Sequence, residues 1–402
     1  MVTTPWRKVK LKEVCQRITV GHVGPMADKY ISDGIPFLRS QNITPFRLDT
    51  EDIKFIPREF HDKLQKSALN TGDVAVVRTG YPGTACVIPP GFTDLNCADL
   101  VVITPSNDLN PHYLSAIFNS AWGRASVAGN LVGVAQQHFN IGAAKELEVE
   151  LPPRLVQDRI AGILSAYDEL IENSQRRLKI LESMARAIYR EWFVNFRFPG
   201  HEGHPRVASP LGEIPKGWEV KKLKDVCRLT MGQSPKSEFY NEVGNGLPFH
   251  QGVTNFGDRF PTDRLFCTAE GRIAEAGDIL FSVRAPVGRM NIAKNTIILG
   301  RGLSAIRYNK GSQAFLWEQL RNRFTKDDMM GNGAIFAAVT KDDMQGIELV
   351  CPPPSVVEVA TKQFEPLHSE IATLSQQAEN LRRTRDLLIP RLLSGQIDVE
   401  VA

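Results

Sequence analysis

The chain has 402 residues, enough for two to three domains, and its 42% apolar and 23% charged content is that of an ordinary soluble globular protein. A net charge of +3 is too small to argue for nucleic acid by itself, so any basic surface must be local and offset elsewhere. No apolar run approaches membrane-spanning length and the opening MVTTPWRKVK has no apolar signal core, so a cytoplasmic protein with no membrane association is expected. Cys15, Cys86, Cys97, Cys227, Cys267 and Cys351 are scattered without a CxxC pair, which argues against a zinc site and a disulfide framework.

Residues 1–150 read as a first mixed globule. They open on PWRKVKLKEVC, launch a short β-type run at Val74 from a Gly-Asp turn, and carry a helical pattern over residues 112–121. Residues 151–197 read as a long helix started by Pro152 and Pro153. In it Ile160, Leu164, Tyr167, Ile171, Ser174, Leu178, Leu181, Ala185 and Ile188 advance by alternating fours and threes, the 3.5-residue period of a coiled-coil seam. Residues 198–216 are rich in Pro and Gly and read as a linker. His201, Glu202 and His204 there lack the spacing and the helical face of a metal site.

Residues 217–351 read as a second globule, because the opening phrase returns as GWEVKKLKDVC. Trp6, Leu11, Val14 and Cys15 map to Trp218, Leu223, Val226 and Cys227 at a constant offset of 212. The equivalent cysteines, each beside a valine, are expected as buried free thiols. Ile35-Pro36-Phe37 returns as Leu247-Pro248-Phe249, Gly72-Asp73-Val74 as Gly277-Asp278-Ile279, and a helical pattern over 314–324 pairs Trp317 with Trp122. Residues 352–402 hold a second long helix after Pro352, Pro353 and Pro354. Its seam is Val357, Ala360, Phe364, Leu367, Ile371, Leu374, Ala378, Leu381, Arg385 and Leu388. The fold class expected is α+β: two homologous mixed α/β domains with pseudo-two-fold symmetry, separated by two long helices. Two seams of similar length are buried most economically against each other, as an antiparallel coiled coil on the order of 55–60 Å long.

No catalytic motif is present. The proline pairs are followed by Gly91, Arg154 or Pro354, not by the aromatic residue of an amino-methyltransferase motif, and there is no phosphate loop, HExxH or GxSxG. The duplication implies a molecule of approximate two-fold symmetry, which is suited to gripping another two-fold object such as duplex DNA; reading one would need arginine for guanine and Asn or Gln for adenine, on turns that reach base edges. The first globule offers Arg39, Gln41 and Asn42, then Arg78, Thr79 and Tyr81, then Gln136, Gln137, His138 and Asn140. The second offers His250, Gln251, Thr254 and Asn255, then Arg284, Arg289 and Asn332. These stations correspond but differ in chemistry, as two domains reading different sequences should. Asp73 to Arg78 spans five residues and Asp278 to Arg284 six, so the two arginines need not point the same way. Trp192 and Phe193 are candidates for a partner interface or for core packing at the helix end.

ILSAYDELIENSQRRLKILESMARAIYREWFV (163–194) resembles the central conserved region of the specificity subunits of type I restriction-modification enzymes, and DLLIPRLLSGQIDV (386–399) resembles their C-terminal conserved region. The resemblance runs through the whole chain in order. The family's Glu-Gln pair after the prolines is here Val156-Gln157, and SVVEVATKQF lacks it. The resemblance implies that each globule is a target recognition domain reading one half of a split duplex DNA sequence. It implies that the helices set the spacing and dock two methyltransferase subunits, which carry S-adenosylmethionine, and that restriction (motor-nuclease) subunits join. The chain itself would hold no cofactor and no metal and would catalyse nothing. The competing expectation is a coiled-coil protein scaffold that does not read DNA, motivated by the weak net charge.

Overall fold

The computed structural model describes residues 6–131, 138–309, 311–324 and 338–399. The chain divides into two compact units, residues 1–173 with 377–402, and residues 174–376. Each unit therefore holds one globule together with part of each long helix, so the division falls inside the helices and not at the globule edges.

In the first unit a four-stranded antiparallel sheet has the order Cys15–Val20, Leu100–Pro105, Val74–Val77, Ala85–Val87. The run Val74–Val77 has no polar alternation because both its faces are covered. Val74 and Val76 pack with Leu114, Ile117 and Phe118 of the helix Pro111–Asn119, while Ala75 and Val77 pack with Leu38, Ile43 and Cys97 on the opposite side. A smaller sheet joins Lys54–Ile56, Ile35–Leu38 and Asn96–Cys97. The opening strand Arg7–Lys10 pairs with Glu148–Leu151 just before the first long helix, Arg154–Tyr189.

The second unit repeats this plan: Cys227–Met231, Leu303–Tyr308, Ile279–Ser282, Met290–Ile292, again antiparallel, with Glu219–Lys222 paired to Glu348–Cys351 before the second long helix, Pro354–Leu393. Trp317 is not the counterpart of Trp122. The helices Pro111–Asn119 and Gln313–Arg323 begin at the caps Asn110 and Ser312, which aligns Trp317 with Ser115, and Trp122 lies on the next helix, half exposed. The 198–216 segment is not a solvated linker throughout. Arg206–Ser209 and Gly212–Pro215 form a hairpin, and Phe198 and Ile214 are buried with Trp218.

The helices run antiparallel within each unit. In the first, Asp168 pairs with Arg385 at 2.5 Å and Arg159 donates to the Val399 carbonyl at 2.7 Å, while Ile389 and Leu392 pack with Ile160 and Leu164. In the second, Arg177 pairs with Glu370 at 2.6 Å, while Ala185 and Tyr189 cluster with Val357, Ala360 and Phe364. No residue of either expected seam is exposed. Gln157 explains the glutamine after the prolines: fully buried, it donates to the Asp108 and Pro152 carbonyls and accepts from the Asn110 amide. Val357 stands at the same place in the second copy, inside an apolar cluster, so no polar partner is needed there.

Candidate nucleic-acid interface

Each central strand ends in a tight hairpin whose hydrogen bonds fix the correspondence between units. Val77 donates to the Thr84 carbonyl and Gly83 to the Val77 carbonyl; Ser282 donates to Arg289 and Gly288 to Ser282 in the same way. Arg78 therefore aligns with Val283, Thr79 with Arg284 and Tyr81 with Pro286. The extra residue noted in sequence between Asp278 and Arg284 thus puts the two arginines at different stations. Phe139 donates to the Arg78 carbonyl, and Val339 to that of Val283, which closes the same edge in both units.

In the first unit most of the described candidate side chains are engaged within the protein. Arg78 donates to Asp99 at 2.8 Å and to the Phe139 carbonyl at 3.1 Å, and only 12% of its side chain is exposed. Thr79 donates to the other Asp99 oxygen at 2.7 Å. Arg39 and Gln41 both donate to Asp52. Lys54 and then Arg39 hold that carboxyl down to about 2. Asn42 is buried, its oxygen accepting the Arg39 amide and its nitrogen donating to the Asp49 carbonyl, so it builds the loop and does not face solvent. Asn140 caps the helix Ile141–Glu146 by accepting the Ala143 amide at 2.8 Å. His138 is half-buried. Tyr81 stands free at the hairpin tip, 85% exposed. Gln136, Gln137 and Asn332 lie outside the described residues.

In the second unit His250 is fully buried, with Nε2 on Asp263 at 2.8 Å, which removes it from any surface contact in this conformation. Gln251 is exposed and accepts from the Ser234 hydroxyl at 2.8 Å. Thr254 is exposed and Asn255 half-buried, while Arg284 and Arg289 are both exposed. Phe193 is core, not surface: its ring lies 4.9 Å from Phe315, 5.2 Å from Tyr189 and 5.8 Å from Trp218, and half-buried Trp192 leans on it. Exposed apolar residues on this helix include Leu155, Ile163 and Leu170, and a shallow groove is lined by Lys179, Ile180, Ser183, Met184 and Ala187. Ile180 and Met184 are 59% and 47% exposed there.

Sequence reasoning also missed a pair of latches. Four residues after Asn42 and Asn255, whose carbonyls accept from Asp49 and Thr262, stand Phe46 and Arg259. Arg385 of the second helix lies over the Phe46 ring at 4.5 Å while pairing with Asp168. In the other unit Arg259 is itself the cation, 5.1 Å over Trp317 and bonded to His368, which sits two hundred residues after Asp168. His368 Nε2 reaches Glu318 at 3.0 Å. Each reader loop is thus tied to the second long helix, in the first unit by Arg385 lying over the Phe46 ring and in the second by the hydrogen bond from Arg259 to His368, with the ring under Arg259 supplied by the short helix Gln313–Arg323.

Among the described residues no group of three or more His, Cys, Asp or Glu could hold a metal, and no helix is long and apolar enough to cross a membrane.

Two copies of one mixed domain, each continuing through paired strands into a long helix and each presenting a different set of polar side chains on the same hairpin, define a modular recognition protein. Residues 4–183 and 215–382 each match the type I restriction modification DNA specificity domain, and the chain belongs to that family. It is similar to the MjaX specificity subunit assigned to a type I restriction enzyme of Methanocaldococcus jannaschii, with 28% identity over 98% of this chain and 94% of the relative. It is also similar to the type I restriction enzyme HindI specificity subunit of Haemophilus influenzae, with 23% identity over 63% of this chain and 70% of the relative. The crystal structure of the type I restriction-modification S subunit from M. genitalium superposes with a TM-score of 0.62 at 15% identity, covering 98% of this chain and 97% of that one, a likeness of fold. The chain is a specificity subunit, the DNA-recognising and non-catalytic component of a type I restriction-modification system.

Proposed function

We propose that the first unit reads one half of a bipartite duplex sequence and the second unit the other, while the two long helices set the unread spacer and dock two methyltransferase subunits. S-adenosylmethionine belongs to those partners and not to this chain, motor-nuclease subunits join the same complex for restriction, and the complex works on DNA in the cytoplasm. The observation that carries this reading is the repeat itself: one four-stranded central sheet with matched hairpin hydrogen bonds in both units, and different side chains at the hairpin end. A scaffold without DNA reading has no use for that divergence at fixed stations.

The docking surface favoured on this chain is the apolar groove of Ile180 and Met184, in place of the sequence candidates Trp192 and Phe193. The reading is tested by exchanging residues 1–150 for the corresponding domain of another family member, co-expressing the chain with its methyltransferase, and mapping methylated adenines. One half of the motif should change and the other should stay; a change in both halves refutes the modular assignment.

A further inference from the structure

The equivalent strand ends of the two units carry opposite charge logic. In the first unit the cations are neutralised in place, Arg78 by Asp99 and Arg39 by Asp52. Backbone hydrogen bonds locate the same position in the second unit. The carbonyls of Cys97 and Leu299 accept from His22 and Gln233, and those of Leu100 and Leu303 accept from Gly21 and Gly232. Between these anchors the first unit has Ala98-Asp99 and the second has Gly300-Arg301-Gly302. An arginine therefore stands where the first unit keeps its neutralising acid.

The turn that carries Arg301 is built to present that side chain alone. A Cβ on Gly300 would lie 2.5 Å from the Gln251 Cα, and one on Gly302 would lie 2.6 Å from the Gln251 carbonyl oxygen, so neither position admits another side chain. The Arg301 amide donates to the Ser234 hydroxyl at 3.2 Å, and that hydroxyl donates to the Gln251 side chain. Val283 donates to the Gly302 carbonyl at 3.0 Å and Ser282 to that of Arg289 at 2.9 Å. These bonds gather Arg284, Arg289 and Arg301 at one end of one sheet. All three are exposed, and the described structure gives none of them a carboxylate partner.

Three guanidiniums at one edge, with no carboxylate partner among the described residues, repel one another and weaken the free fold slightly, so their arrangement is explained by what they bind. The arginine fork fits the O6 and N7 acceptors of guanine in the major groove, and a rigid mount is what such a two-pronged contact needs; phosphate contacts tolerate a looser one.

We propose that the second unit is the guanine-reading member of the pair, with Arg301 donating to a guanine edge in its half-site and Arg284 and Arg289 holding flanking phosphates. The first unit, with Arg39 and Arg78 already paired, reads through other groups, among them the exposed Tyr81. This rests on the bipartite reading above and goes further by assigning a base and a reader.

The test uses the full chain with its methyltransferase subunit, mapping methylated adenines and measuring duplex binding at several salt concentrations. The half-site of the second unit is identified as the one left unchanged by the exchange of residues 1–150. It should contain a G·C pair whose replacement lowers methylation by roughly ten- to a hundred-fold. Arg301→Ala should lose that discrimination with the other half-site intact. Arg301→Lys should keep duplex affinity and still lose the preference, an outcome that a misfolded variant cannot give. Arg284→Ala and Arg289→Ala should weaken all sequences alike and each flatten the salt dependence by about one unit of slope. A second half-site made only of A·T pairs, or an Arg301→Ala complex that still demands its guanine, overturns the proposal. If the unsubstituted complex methylates no split site, the bipartite reading falls first and takes this inference with it.

Discussion

Asp73 and Asp278 show what a single buried carboxylate organises. Each follows a glycine of positive φ, 88° at Gly72 and 85° at Gly277, and each accepts the amide three residues upstream, from Asn70 and Glu275 at 2.8 Å. The charge is then balanced from another strand of the same sheet, by Arg17 in the first unit and by Arg307 in the second. Arg17 faces Thr104, and Arg228 faces Arg307, so the balancing cation has moved to the opposite strand of the same pair. The Gly-Asp turn was legible because it is local; the arginine that answers it was not. His368 gives a pH prediction at this scale. Its Nδ1 accepts from Arg259 and its Nε2–H donates to Glu318, so the neutral tautomer fits. Burial lowers its pKa, with the Glu318 carboxylate opposing and Arg259 adding to the shift, and Glu365 also nearby. The unfolded chain takes up a proton near the ordinary histidine pKa of about 6.5, while the folded one resists. Stability is therefore full above that range and falls as pH drops through it toward the lowered folded value. Thermal unfolding followed across this range should show acid sensitivity in the unsubstituted chain and less of it in His368→Gln; equal sensitivity in both would exclude the latch as its source.

The helices were the most legible elements, because a 3.5-residue period is written in consecutive residues and needs no knowledge of the partner. Even so, Arg385 in the expected seam survives there only because Asp168 and the Phe46 ring receive its charge. The helix surface away from the seam was not legible. Trp192 and Phe193 are large and apolar, but the chain turns after Tyr189 through a π-helical stretch, Arg190–Val194, that puts Phe193 into the core. Ile180 and Met184, mid-helix and surrounded by charge in sequence, are among those left outside. Ile180→Glu with Met184→Glu should change stability by no more than about 0.5 kcal/mol, since both are exposed. The same pair should weaken methyltransferase association by about tenfold or more, measured by titration of the purified subunits. Undiminished association would place the docking surface elsewhere.

At the scale of the whole molecule the proposed ruler has a geometric consequence. Seven residues added to each long helix at paired positions keep the heptad phase and lengthen the rod by about 10 Å. The unread spacer should then grow by about three base pairs at 3.4 Å per step, read from the methylation motif of the assembled complex. An active complex with an unchanged spacer would show that the helices do not measure the gap. The duplicated plan, the two long helices, their seams and the family resemblance all followed from the order of residues, because repetition and periodicity are properties of neighbours along a chain. Which polar residues are spent inside the protein and which are left for DNA was decided by tertiary structure. Arg78 is neutralised by an acid 21 residues away, Arg385 by one 217 residues away, and Arg301 by none among the described residues, and only folding brings such partners within reach or withholds them.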